Sequence, residues 1–139
     1  MHNLGEDDVR TVMAHEGTMI GSDGIPSLEG KPHPRLYGSF ARVLGRYARD
    51  GGVFPIEEAV RRMTSLPADS FGLVDRGRLR PGAHADLVVF DPGTVDDVAT
   101  FDDPHQPPRG IHHVVVNGER VVTDAVHTGA RPGRTLRRP

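Results

Sequence analysis

Near Gly72 the hydrophobic period of the chain changes, and this break constrains the fold more than any other feature. Before it, apolar residues recur at helical spacing. After it, short β-branched runs alternate with turn residues, with Gly77 and Pro81-Gly82 as turn signals. The strongest local signal lies in the second half. Ile111 to Val116 and Arg120-Val121-Val122 flank Asn117-Gly118, a pair that favours a tight hairpin with positive φ at both central positions. Ala85 to Phe90 reads as one more strand, ended by Asp91-Pro92-Gly93. Thr94 to Gly110 reads as an ordered arm anchored by Val95, Val98 and Phe101. Residues 1–73 and 74–139 are therefore expected to be separate units. A hairpin plus one strand is marginal in water, and a single buried strand cannot satisfy its own backbone. Each half is expected to complete something larger.

In the first half, Glu6, Asp7 and Asp8 suit a helix N-terminus, followed by the apolar stripe of Leu4, Val9, Val12 and Met13 and a stop at Gly17. Thr18-Met19-Ile20-Gly21 reads as a short buried strand that ends abruptly at Ser22-Asp23-Gly24-Ile25-Pro26. Leu36, Phe40, Val43, Leu44 and Tyr47 then lie on one helix face, with Gly38 and Gly45 marking close packing against a neighbour. Pro55 opens a second helix with Ile56, Ala59, Val60 and Met63 as its stripe. Ser65 to Asp69 opens a third, stopped by Gly72.

Composition excludes several functions. The 139 residues carry 17 Lys+Arg against 19 Asp+Glu, a net charge of −2, so nucleic acid and membrane surfaces are not expected partners. The tail arginines Arg131, Arg134, Arg137 and Arg138 are too few to change that. No cysteine is present, which removes disulfides and thiolate metal sites. Hydrophobic residues are 36%, and 17 Gly with 12 Pro make about one residue in five, so the core is expected to be thin. No apolar run approaches a membrane span, and the N-terminus lacks the features of a signal peptide; a soluble cytoplasmic protein is expected.

Two places could carry chemistry. Asp23 follows a strand end, where barrel enzymes place catalytic side chains, and a carboxylate there can act as general base. Ser-Asp-Gly is equally an ordinary turn. Arg35, stiffened by Pro34, can hold a carboxylate with its fork, or can be a plain surface arginine. The histidines, among them His2, His15, His84, His105, His112, His113 and His127, show no His-x-His or His-Glu-x-x-His spacing, and no phosphate-binding glycine loop or nucleophile elbow is present.

These residues carry a resemblance. Met19-Ile20-Gly21-Ser22-Asp23-Gly24, His33-Pro34-Arg35-Leu36-Tyr37-Gly38, Met63-Thr64-Ser65-Leu66-Pro67-Ala68, the run Arg80 to Asp91, Val116-Asn117-Gly118 and His127 to Gly133 resemble, in order, the N-acyl-D-amino-acid deacylases (D-aminoacylases) of the amidohydrolase superfamily. The resemblance implies an α/β fold: the last βα part of a TIM-like, metal-dependent barrel, then the C-terminal strands of a small β-sandwich. It implies hydrolysis of the amide bond of N-acyl-D-amino acids by zinc-activated water. Asp23 is then the proton-transferring aspartate and at most a secondary metal ligand. Arg35 binds the substrate carboxylate, and Ser22, Gly24 and His33 line the same mouth. A barrel of this class needs about 250 residues, and the family's other metal ligands, histidines and a cysteine, have no counterpart here. Met1 matches an interior position of the family. The expectation is an incomplete fold, inactive alone and without stable zinc, that self-associates or requires the missing N-terminal part. The alternatives are a non-catalytic β-rich binding or assembly module and a piece of a cyclic amidase of the hydantoinase or dihydroorotase kind.

Overall fold

The structure, a computed structural model, describes residues 4–25 and 29–137. His2, Pro26 and Arg138 lie outside the described residues. The chain has α/β content: helices come first, and a small antiparallel sheet follows. Helix α1 spans Glu6–Ala14, with Glu6, Asp7 and Asp8 in its first turn at the positive end of the helix dipole. Asp8 reaches back to the Gly5 N–H at 2.9 Å. The helix stops at His15, where the backbone turns extended, rather than at Gly17. The turn is held by the Thr18 N–H on the His15 carbonyl and the Gly17 N–H on the His15 ring.

Thr18–Gly21 is not a strand: its backbone joins no ladder. The Ile20 N–H instead donates to the Arg62 carbonyl at 3.1 Å. The apolar run suits a strand, but a ladder needs a neighbouring strand, and none pairs with it among the described residues.

Helix α2, Arg35–Arg42, runs directly into a π-helical segment, Val43–Asp50. One continuous α-helix was expected from the spacing; instead the turns widen midway, and Phe40 is left exposed while Val43, Leu44 and Tyr47 are buried. Both glycines sit where another chain segment presses in. A Cβ on Gly45 would stand 2.4 Å from the Val95 carbonyl oxygen, and one on Gly38 would stand 2.8 Å from the Asp97 Cβ. The arm from Asp91 to Gly110 thus lies across the helix. Val95 is fully buried there, Arg49 donates to its carbonyl at 2.7 Å, and Arg42 pairs with Asp97 at 2.8 Å.

Helices α3, Ile56–Met63, and α4, Ser65–Phe71, follow. Val60, assigned to the apolar stripe, sits at the exposed margin, and Arg62 is buried at 3% exposure. Its guanidinium donates to the carbonyls of Met13 and His15 and to Glu58, and lies 4.9 Å above the Phe54 ring. Long-range carbonyls make this burial possible, which helix periodicity does not register. Helix α4 ends as expected at Gly72, in the left-handed region, with the Leu73 N–H on the Ala68 carbonyl at 2.8 Å.

The sheet contains β1 (Leu87–Phe90), β2 (Ile111–Val116), β3 (Glu119–Thr123) and β4 (Val126–His127), antiparallel in that order. Asn117 and Gly118 have φ of 49° and 84°, the expected hairpin geometry. Asp86 latches this turn. Its carboxylate accepts the Asn117 N–H at 2.8 Å and pairs with Arg76, whose other nitrogen donates to the Asn117 side chain. Burial works to raise the Asp86 pKa, yet these donors hold it below the usual carboxylate range. Val88 and Val89 project to opposite faces, and each is about half exposed. Neither face of the sheet is closed at β1, which is also an edge.

Candidate functional site

Ser22, Asp23, Gly24, His33 and Arg35 converge at the start of α2. Asp23 has φ of 48°, a left-handed conformation that aspartate tolerates better than most residues. The turn around it is held locally: the Gly24 N–H donates to the Ser22 hydroxyl at 3.2 Å. It is also tied to α2, because the Ser39 hydroxyl reaches the Ser22 carbonyl at 3.1 Å and the Arg35 carbonyl at 3.0 Å. A Cβ on Gly24 would come 3.5 Å from the Leu36 Cα, so the turn packs close to the helix.

The result is an ion pair. Arg35 Nη1 lies 3.2 Å from Asp23 Oδ2, with the aspartate side chain 79% exposed and the arginine 41%. Both groups face solvent, so the pair itself contributes little stability. Their exposure leaves both available to a ligand.

His33 supports Arg35 from below. Its Nδ1 accepts the Arg35 backbone N–H at 3.1 Å, which requires an unprotonated nitrogen. The His33 pKa is lowered from the ordinary histidine value, by removal from water and then by the Arg35 guanidinium, against the opposing pull of Asp23. The His33 ring meets Phe101 edge-on, with centroids 4.9 Å apart. Phe101, expected to anchor its arm, meets this ring while remaining exposed. His105, from the same arm, contacts the Gly30 carbonyl and the Tyr37 hydroxyl. Nothing in the local sequence pattern around Phe101 and His105 points to these contacts, which span 68 residues or more.

Among the described residues, no group of three or more His, Cys, Asp or Glu side chains is placed to hold a metal ion. Asp23 is a single carboxylate donor, so the residues present do not make a metal centre by themselves. Among the same residues, no helix is long and apolar enough to cross a membrane.

The turn at Asp23 and the first residue of α2 thus set an exposed acid beside a fork-bearing arginine. A model of the amidohydrolase family matches residues 2–122, and the chain belongs to that family. It is 55% identical over 135 residues to the D-aminoacylase of Alcaligenes xylosoxydans xylosoxydans, a match covering 97% of this chain and 28% of the relative. A crystal structure of D-aminoacylase superposes with a TM-score of 0.87 at 54% identity, covering 91% of this chain and 27% of that one. The N-acyl-D-glutamate deacylase of Bordetella bronchiseptica, solved with zinc and a phosphonate mimic of the tetrahedral intermediate, superposes with a TM-score of 0.81 at 53% identity, covering 85% of this chain and 25% of that one. A dihydroorotase of Lactobacillus acidophilus is more distant, at 28% identity over 90 residues. The chain thus spans about a quarter of the length of the deacylases it matches.

Proposed function

We propose that this chain acts as the C-terminal part of an enzyme that hydrolyses the amide bond of N-acyl-D-amino acids. The 3.2 Å pair of Asp23 and Arg35 carries the reading, within a chain of deacylase-like sequence. In it, residues 1–73 form the last βα part of a TIM-like barrel, and residues 74–139 form strands of a small β-sandwich. Thr18–Gly21 gains its ladder partners from sequence outside this chain. So does the exposed margin of β1.

Arg35 binds the substrate carboxylate. A guanidinium has five N–H donors, so it can take a carboxylate with two parallel hydrogen bonds. Asp23, on the adjoining turn, accepts a proton from the attacking water. It passes that proton to the amine nitrogen as the C–N bond breaks, leaving a carboxylic acid and a D-amino acid. Ser22 and Gly24 shape the turn that aims Asp23, and His33 fixes the backbone of Arg35. Zinc, present in the Bordetella deacylase structure, finds no complete ligand set among the described residues of this chain. The isolated chain is accordingly inactive.

The test is a chimera in which this chain replaces the matching stretch of the Alcaligenes D-aminoacylase. Release of amino acid from N-acetyl-D-leucine, with the L-enantiomer and dihydroorotate as alternatives, reads the substrate class. Hydrolysis of the linear D-amide is expected. Preference for the cyclic amide would replace this reading with that of a cyclic amidase. A folded chimera that cleaves none of the three would leave a non-catalytic module.

A further inference from the structure

The Asp91–Gly110 arm touches the stretch around Arg35 on both sides of that residue in the chain. Upstream, Phe101 packs edge-on against His33, the residue whose ring accepts the Arg35 N–H. Around it, His105 joins Gly30 to Tyr37. His105 Nε2 is 3.0 Å from the Gly30 carbonyl, and Nδ1 is 3.4 Å from the Tyr37 hydroxyl. A carbonyl accepts only, so Nε2 donates to it, and in the neutral ring that leaves Nδ1 to accept from the tyrosine hydroxyl. The Tyr37 and His105 rings also meet at 5.9 Å. Gly30, at φ of 70°, is free to adopt the turn that presents its carbonyl.

The arm is itself firmly seated. Val95 is fully buried, Asp97 fits the notch at Gly38, and Pro104 is buried between the two contact residues. A rigid support therefore reaches the Gly30–Tyr37 stretch from more than sixty residues away. Phe101 itself is two-thirds exposed, so its ring contributes little to the core.

We propose that Phe101 and His105 are positioning residues that hold the Gly30–Tyr37 stretch so that Arg35 faces Asp23. The inference rests on the deacylase reading for its meaning, since Arg35 is there the carboxylate-binding group. In the assembled enzyme it raises KM on loss while sparing kcat, because Asp23 is untouched.

Relaxation of the backbone amides of Gly30, His33 and Arg35 in the 139-residue chain tests it without substrate. In the unaltered chain their order parameters should be those of rigid backbone, about 0.85. Phe101→Ala and His105→Ala should each lower them below about 0.6, with an unchanged melting midpoint. Phe101→Tyr and His105→Gln should restore them, the first by keeping a ring edge, the second by keeping one donor and one acceptor. The Arg35 Nε signal should respond to Asp23→Asn in the unaltered chain and not in Phe101→Ala. Unchanged order parameters in both alanine variants would overturn the proposal. So would a loss that merely follows a fall in melting midpoint and that the conservative variants fail to restore. The deacylase reading stands or falls separately, on hydrolysis by the chimera.

Discussion

Asp23 and Arg35 are twelve residues apart in sequence and 3.2 Å apart in space, and the carboxylate is the more exposed partner. The proximity is made by two short devices: the left-handed backbone at Asp23 and the Ser39 hydroxyl that ties the Ser22 carbonyl to α2. An exposed pair of this kind is typically worth less than 1 kcal/mol. Asp23→Asn and Arg35→Gln should each change unfolding free energy by no more than about 0.5 kcal/mol, measured by urea denaturation. A loss of several kcal/mol would assign the pair to fold stability.

Gly45→Ala tests the seat of the arm. Alanine improves helix propensity by about 1 kcal/mol, but its Cβ would meet the Val95 carbonyl oxygen at 2.4 Å. Backbone on both sides cannot give way cheaply. The net effect should be destabilisation by about 2 kcal/mol, seen as a lowered urea midpoint with unchanged slope. Stabilisation would show that the arm does not press on the helix.

Arg62→Ala should be strongly destabilising, because this side chain is buried. It removes the donors to the Met13 and His15 carbonyls and the cover over Phe54. Two carbonyls and a cavity remain, at a cost of about 3 kcal/mol. Arg61→Ala, on the exposed side of the same glutamate, should cost far less, and equal losses in denaturant titrations would refute the distinction.

Glu58 links these arginines to pH. Hydrogen bonds from Arg61 and then Arg62 lower its pKa from 4.5 to about 2. Between those values the unfolded chain binds more protons, so stability rises with pH. The contribution is complete above the unfolded value and disappears as pH falls through about 2. Glu58→Gln should flatten the acid limb of a stability–pH curve. An identical limb in the variant would contradict this linkage.

What could be read from sequence was local. Asn117-Gly118 encodes its turn in two residues, and Gly72 its helix stop in one. Gly38 and Gly45 announce a close approach, although not that Asp97 and Val95 make it. The juxtaposition of Asp23 and Arg35 follows the family resemblance rather than any pattern of spacing. What could not be read depends on distant backbone. Thr18–Gly21 has strand-like residues and no ladder, because pairing is supplied by neighbours. The widened turns of Val43–Asp50 follow no apolar period. Arg62 looks like a solvent-facing helix residue until Met13 and His15 are brought over it. Phe101 is an ordinary loop aromatic until it meets His33.

On the reading proposed above, this chain supplies the proton-transferring acid and the carboxylate-binding arginine of an N-acyl-D-amino-acid deacylase, and not the whole site. The direct measurement is zinc-supplemented hydrolysis of N-acetyl-D-leucine by the isolated chain, by the chimera with the Alcaligenes D-aminoacylase, and by the chimera carrying Asp23→Asn. The isolated chain should be silent. The chimera should turn over, and Asp23→Asn should slow it by roughly 10²–10⁴-fold, the usual worth of a general acid–base residue. Turnover by the isolated chain, or a chimera indifferent to Asp23→Asn, would contradict these roles.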